Sequence, residues 1–143
     1  MKKNQSVQGT PPEKDENKFK KIFLSILPVV LYCVLIFYLS SRPGGLAPLG
    51  FKAEDKIIHF FEFFILGWLL SRGFQFGRTD LISNKLVLLV ILIGAFYGAS
   101  DEFHQYLVPG RSAEVLDWLA DAVGATAGAL GYRRYHKARI GIV

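Results

Sequence analysis

The 143-residue sequence has a single cysteine, Cys33. No disulfide framework and no thiolate zinc site can be built from one cysteine. Charge is also scarce, at 20% of residues, where a soluble domain carries about a quarter. The sequence shows no glycine-rich phosphate loop, nucleotide motif, coiled-coil heptad or internal repeat, and no cofactor motif is evident. What is abundant is apolar: 51% of residues are hydrophobic and the mean hydropathy is +0.29. That excludes a disordered chain. The length suits about one domain.

The apolar residues fall into blocks nearly free of charge. Residues 22–41, IFLSILPVVLYCVLIFYLSS, carry none. As a helix rising ~1.5 Å per residue, this run reaches about 30 Å, the depth of a bilayer core. Pro28 implies a kink, tolerable in a membrane helix. The run is longer than a signal-peptide core and no small-x-small site ends it, so we read it as a retained span. Further spans are expected at about 57–74, 86–100 and 113–132. The third is short and should continue as helix through DEFHQYL. The fourth is the least apolar and carries Asp117 and Asp121. Its Gly124 and Gly128 form a GxxxG pattern suited to close helix packing. Trp68 and Tyr132 suit interfacial anchors. Apart from these two, the ends of the spans on that side look plain.

Lys and Arg placement gives the expected orientation. The net charge of +5 and pI near 9.4 would suit nucleic acid if spread evenly, but the basic residues cluster by segment. Lys2, Lys3, Lys14, Lys18, Lys20 and Lys21 precede the first span. Arg72, Arg78 and Lys85 lie between spans two and three. Arg133, Arg134, Lys137 and Arg139 follow the fourth. Only Arg42, Lys52, Lys56 and Arg111 fall on the other side. The expected fold is therefore an all-α polytopic membrane four-helix bundle with both termini cytoplasmic. Residues 1–21 are expected to form a flexible basic tail, 22–132 the transmembrane domain and 133–143 a second basic tail. A soluble bundle would need polar faces that the first and third spans lack.

The polar residues of the spans converge on the extracytoplasmic side. Asp55, His59 and Glu62 are spaced i, i+4, i+7 and share one helix face. Asp101 and Glu102 precede His104 and Gln105 on the third helix. Asp117 and Asp121 are four apart on the fourth. In a lipid background such faces turn toward one another, because a charge at the bilayer centre costs roughly 2.5–3.5 kcal/mol. These eight acids and histidines are the candidate catalytic or ligating groups. Lys56, Gln105 and Arg111 are the candidate anion-binding groups, Arg by a bidentate grip on phosphate. Plainer readings stand beside these. Glu62 would pair with a cation between helices, Glu102 and Glu114 would be solvated, His104 would sit at the interface, and Lys56 and Arg111 would neutralise the aspartates. Arg42-Pro43-Gly44-Gly45 ends the first helix, and Pro48 and Gly50 favour an irregular lid up to about residue 52. Pro109-Gly110 marks a turn, and Ser112 suits the N-cap of the fourth helix.

These segments resemble the VanZ-like family. The resemblance rests on DKxxHF (Asp55, Lys56, His59, Phe60) and DExxQxxxPGR (Asp101, Glu102, Gln105, Pro109, Gly110, Arg111). It continues in the D-x-x-x-N/D-x-x-G of the last helix (Asp117, Asp121, Gly124), and covers about residues 22–132. The position of Asp121 is often Asn in that family, which favours hydrogen bonding there over an obligate metal carboxylate. The resemblance implies a multi-pass protein of the bacterial cytoplasmic membrane, associated with the cell envelope. For the family's namesake it implies low-level glycopeptide (teicoplanin) resistance. It supplies no reaction. Some members are labelled phosphotransbutyrylases, but no acyl-CoA or phosphate-transfer motif supports that label here.

Three functions are compatible with this. A binding module would engage a cell-wall precursor or an anionic lipid head group. An enzyme would act on such a head group by acid–base chemistry or with a divalent metal, which Asp, Glu and His suit. A small transporter would need oligomerisation, since four spans without an inverted repeat are poor material. The lipid bilayer is the one partner the sequence implies directly. Nucleic acid is not expected, and the oligomeric state is left open.

Overall fold

The computed structural model describes residues 13–43, 54–76, 78, 80 and 82–141, with side chains from residue 19 onward. Four helices account for all its regular structure: α1 (Glu13–Ser40), α2 (Glu54–Gln75), α3 (Asn84–Tyr106) and α4 (Val115–Arg139). They form an all-helical bundle. Residues 44–53, which hold most of the segment read as an irregular lid from Arg42 to about residue 52, lie outside the described residues, as do residues 1–12.

Three helices are long and apolar enough to cross a membrane: Phe19–Ser40 within α1, then α2 and α3. α4 is as long, at 25 residues, but is not among them, contrary to the expectation of four apolar spans. The reason lies in its packing. α4 is rich in Gly and Ala and lies against α2 and α3, so much of its surface meets protein. Its backbone almost touches that of α2. A Cβ added at Gly124 would lie 2.3 Å from the Phe60 carbonyl oxygen, and one at Gly128 would lie 2.1 Å from that of Phe64. The GxxxG pattern thus holds α4 to α2 within the chain.

α1 is the peripheral helix. It is continuous through Pro28, although the missing N–H leaves the Leu24 carbonyl without its usual donor. Ile36 is fully buried, while Leu31, Val34 and Phe37 are more than half exposed. Tyr97 of α3 secures it by donating to the Cys33 carbonyl at 2.7 Å. Exposed Leu88, Leu92 and Phe96 of α3 and Leu119 and Val123 of α4 continue this apolar surface around the bundle. Such a belt suits lipid, where no polar group is needed on the outside.

The helix limits differ from the expected spans where charge had been read as tail. α1 begins at Glu13, not near residue 22, and α4 runs on to Arg139 past Tyr132. Glu and Lys are good helix formers, and hydrophobicity marks the membrane portion of a helix without marking its end. α3 does continue to Tyr106. Ser112 does not cap α4. Residues 111–114 are irregular, Glu114 takes the N-cap position, and no side chain closes the cap. The Val108–Arg111 turn accounts for the offset. Its closing bond is Arg111 N–H to the Val108 carbonyl at 3.1 Å. Gly110 sits at φ 79°, which a glycine adopts freely.

Candidate functional site

The C-terminal ends of α1 and α3 meet the N-terminal ends of α2 and α4 at one end of the bundle. α2 contributes Asp55, Lys56, His59 and Glu62 over two turns. α3 contributes Asp101, Glu102 and Gln105. α4 contributes Asp117 and Asp121, and the α3–α4 turn contributes Arg111. His59, Asp101, Glu102, Gln105, Asp117 and Asp121 are all buried. Polar groups buried this deeply need partners, and most have them.

The centre is His59, 2% exposed, against Asp121, fully buried. His59 Nδ1 lies 2.9 Å from Asp121 Oδ1. Its other ring nitrogen, Nε2, is 3.4 Å from the Gln105 amide nitrogen. These partners assign the tautomer: Nδ1–H donates to Asp121, and Nε2 accepts from Gln105. Gln105 also donates to Asp101 Oδ2 at 2.8 Å and accepts from Arg111 through its Oε1. Ser40 of α1 donates to the same Asp101 oxygen at 2.9 Å. One network therefore runs from Arg111 through Gln105 to His59 and Asp121, and joins α1, α2, α3 and α4.

A second network lies beside it. Lys56 donates to Glu114 at 2.8 Å and to Asp117 at 2.9 Å. The Glu114 backbone N–H donates to Glu102 Oε2 at 2.7 Å. Two acceptors in this region have no donor: Glu102 Oε1 and Asp121 Oδ2, both buried. Asp121 Oδ2 fits where it is because position 98 is glycine, since a Cβ there would lie 2.7 Å from it. A small cavity of about 10 Å³, room for about one water, opens beside the first network. Its lining includes Ser40, Asp55, His59, Glu62, Gln105 and Arg111.

The candidate residues on α2, α3 and α4 thus come together, with one exception. His104 faces α1, where its ring stacks on Phe37 with centroids 4.2 Å apart and its Nε2 lies 2.9 Å from Ser41 Oγ. Two triads could each offer a metal three ligand atoms within 4.8 Å of one another: His59, Glu102 and Asp121, and Asp55, His59 and Asp117.

The opposite end is not plain. Gln75 and His136 are buried there. Both contact the Asp80 carbonyl, Gln75 as donor and His136 through Nε2 at 3.2 Å. The exposed Asp80 carboxylate is held below its ordinary range by its own backbone and by Arg78. Tyr132 is buried against Trp68, with ring centroids 5.3 Å apart, so it is a core residue and not an interfacial anchor. Ser40, Gln75 and His136 were absent from the sequence reading. Each lies at a helix end or in a basic stretch, where no spacing pattern distinguishes it from a solvated residue.

A family model described as VanZ/LLP1 matches residues 23–136. The chain is also similar to an uncharacterised protein of the fission yeast Schizosaccharomyces pombe. The two are 31% identical over 120 residues, covering 83% of this chain and 72% of the relative. No solved structure matches it. The matched region takes in α2 and α3 whole, most of α1 and α4, and every residue of the polar end described above.

Proposed function

The chain belongs to the VanZ/LLP1 family, and from that premise we propose that it is a membrane protein whose polar end binds the anionic head group of a membrane amphiphile. One observation carries this reading. The bundle is apolar around its sides, yet at one end Arg111, Gln105 and His59 converge on a small opening of about 10 Å³. A lipid arriving laterally would set its head group over that opening, at the level of the helix ends, with a single phosphate oxygen reaching in. Arg111 is the gripping group. Gln105 is the one partner found for its guanidinium among the described residues, and a guanidinium carries five donors. Lys56 is already engaged by Glu114 and Asp117, so it holds the site together.

The distribution of Lys and Arg supports an orientation with the polar end away from the cytoplasm of a bacterial host. The similarity to a fungal protein favours a phosphate-bearing head group common to many membranes over a component found only in bacterial cell envelopes. Tolerance to a glycopeptide such as teicoplanin would follow only where that head group belongs to a cell-wall precursor. A second reading, chemistry on the bound head group by acid–base or metal-assisted steps, is favoured by His59. Its ring is oriented by Asp121 and lines the same cavity.

The test is lipid retention by the purified full-length protein. Nanodiscs containing phosphatidylglycerol or phosphatidylcholine would be compared by native mass spectrometry. The expected result is selective retention of phosphatidylglycerol, falling about tenfold in Arg111→Gln, the loss of one charge-assisted contact. Equal retention of both lipids, or an unchanged Arg111→Gln, overturns the reading.

A further inference from the structure

An anionic ligand at this end meets an electrostatic obstacle. Seven carboxylates belong to the described cluster: Asp55, Glu62, Asp101, Glu102, Glu114, Asp117 and Asp121. Against them stand Lys56 and Arg111, and Lys56 is shared between Glu114 and Asp117. Lys56 satisfies Asp117, while Ser40 and Gln105 satisfy Asp101. Of the remaining four, Asp55 and Glu62 line the small cavity, and Glu102 and Asp121 both face Nδ1 of His59. Glu102 Oε1 is 3.9 Å from His59 Nδ1 and accepts no hydrogen bond, although Glu102 is only 7% exposed. Asp121 Oδ2 accepts none either, in a residue with no exposure at all. A buried acceptor without a partner costs about 1–3 kcal/mol, and more when charged. Glu102 Oε1 faces His59 Nδ1 beside Asp121 Oδ1, where a positive ligand would satisfy it.

We infer that His59, Glu102 and Asp121 hold a divalent cation, which lends positive charge to the end of the bundle where the phosphate of the bound head group sits. The donor spacing fits. Two ligands about 2.1 Å from one ion lie about 3 Å apart at a right angle and about 4 Å apart when opposite. The His59 Nδ1 distances to Asp121 and Glu102 are 2.9 Å and 3.9 Å. The ion takes the Nδ1 lone pair that is freed when the neutral ring's proton moves from Nδ1 to Nε2, on the side of the small cavity. Three protein donors leave positions open, as in sites where a metal binds substrate. One imidazole with two carboxylates suits an ion of the manganese or zinc type. The outer supports are in place: the Glu114 N–H fixes Glu102, and Gly98 leaves room for Asp121. Asn at position 121 would keep a carbonyl donor, but Asp adds the charge that strengthens this site.

The inference deepens the head-group reading and rests on it for the phosphate alone. The cation is tested with no added lipid. Full-length protein in detergent would be stripped with a chelator and dialysed against Mn²⁺, then Zn²⁺, and the bound ion counted by mass spectrometry. One ion per chain is expected, with a higher thermal unfolding midpoint in its presence. Glu102→Gln and Asp121→Asn should each weaken binding at least tenfold, while His104→Gln should bind as the unchanged protein does. Should Asp121→Asn fail to fold, Glu102→Gln and the wild-type midpoint shift carry the test. Absence of a stoichiometric ion from the wild type, or equal affinity in Glu102→Gln, overturns the inference. A separate arm adds phosphatidylglycerol or inorganic phosphate to the loaded protein and reads retention before and after chelation. Bound ion with neither ligand retained would sink the head-group reading while leaving the cation in place.

Discussion

At the scale of single residues, the polar end is held by one lysine. Lys56 crosses from α2 to reach Asp117 of α4 and the neighbouring Glu114. The two bonds are unequal in worth. Asp117 is 2% exposed, so removing its cation leaves a buried charge with no opposite partner. Glu114 is 49% exposed and is screened by water. Lys56→Met should therefore destabilise the protein by about 3 kcal/mol, and Glu114→Gln by less than ~1 kcal/mol. Thermal unfolding of both variants in detergent checks this, and equal losses would contradict it. The convergence of these residues was legible in the sequence, because i, i+4, i+7 spacing names a helix face. The pairing was not. Spacing does not say which acid a lysine on that face will meet, and it gave His59 and His104 equal standing. Only the packing of α1 separates them, by stacking Phe37 on His104.

Between elements, the closest seam runs along α2 and α4. There the glycines of α4 lie against the carbonyls of α2, with no space for a side chain. Gly128→Ala places a Cβ 2.1 Å from the Phe64 carbonyl oxygen, which forces the two backbones apart. At Gly131, one turn on, a Cβ would meet only ring atoms at ordinary contact distance, Trp68 at 3.5 Å and Phe64 at 3.9 Å. Overpacking costs about 1–3 kcal/mol or more, whereas Gly→Ala in an unobstructed helix gains about 0.5–1 kcal/mol. Gly128→Ala should thus lower the unfolding midpoint and Gly131→Ala should hold or raise it. Two variants that fall together would place the tight seam elsewhere. The four helices were readable as long runs poor in charge, and the GxxxG as a packing face. The extensions at Glu13 and Arg139 were not, since charged helical turns outside a membrane have the composition of a tail. Nor was the shift of the α4 cap from Ser112 to Glu114, which the turn at Val108–Arg111 decides.

For the whole molecule, the two ends differ in charge, and that difference predicts which way the bundle faces. The acids gather where α2 and α4 begin. Arg72, Lys85, Arg133, Arg134, Lys137 and Arg139 gather where α2 and α4 end and α3 begins. Translocating so many cations is disfavoured, so the basic end should stay in the cytoplasm. The single native cysteine makes this testable. Cys33 lies half-buried within α1 and can be replaced by serine, leaving a background without thiols. Ser112 is exposed in the turn at the polar end, and Arg134 is exposed at the basic end. Neither takes part in the cation centre or the Arg111 network. In intact bacterial cells, Ser112→Cys should react with a membrane-impermeant maleimide at once, and Arg134→Cys only after the membrane is opened. The reverse pattern would turn the bundle over. The cavity would then face the cytoplasm, and its ligand would have to be sought among head groups of the inner leaflet.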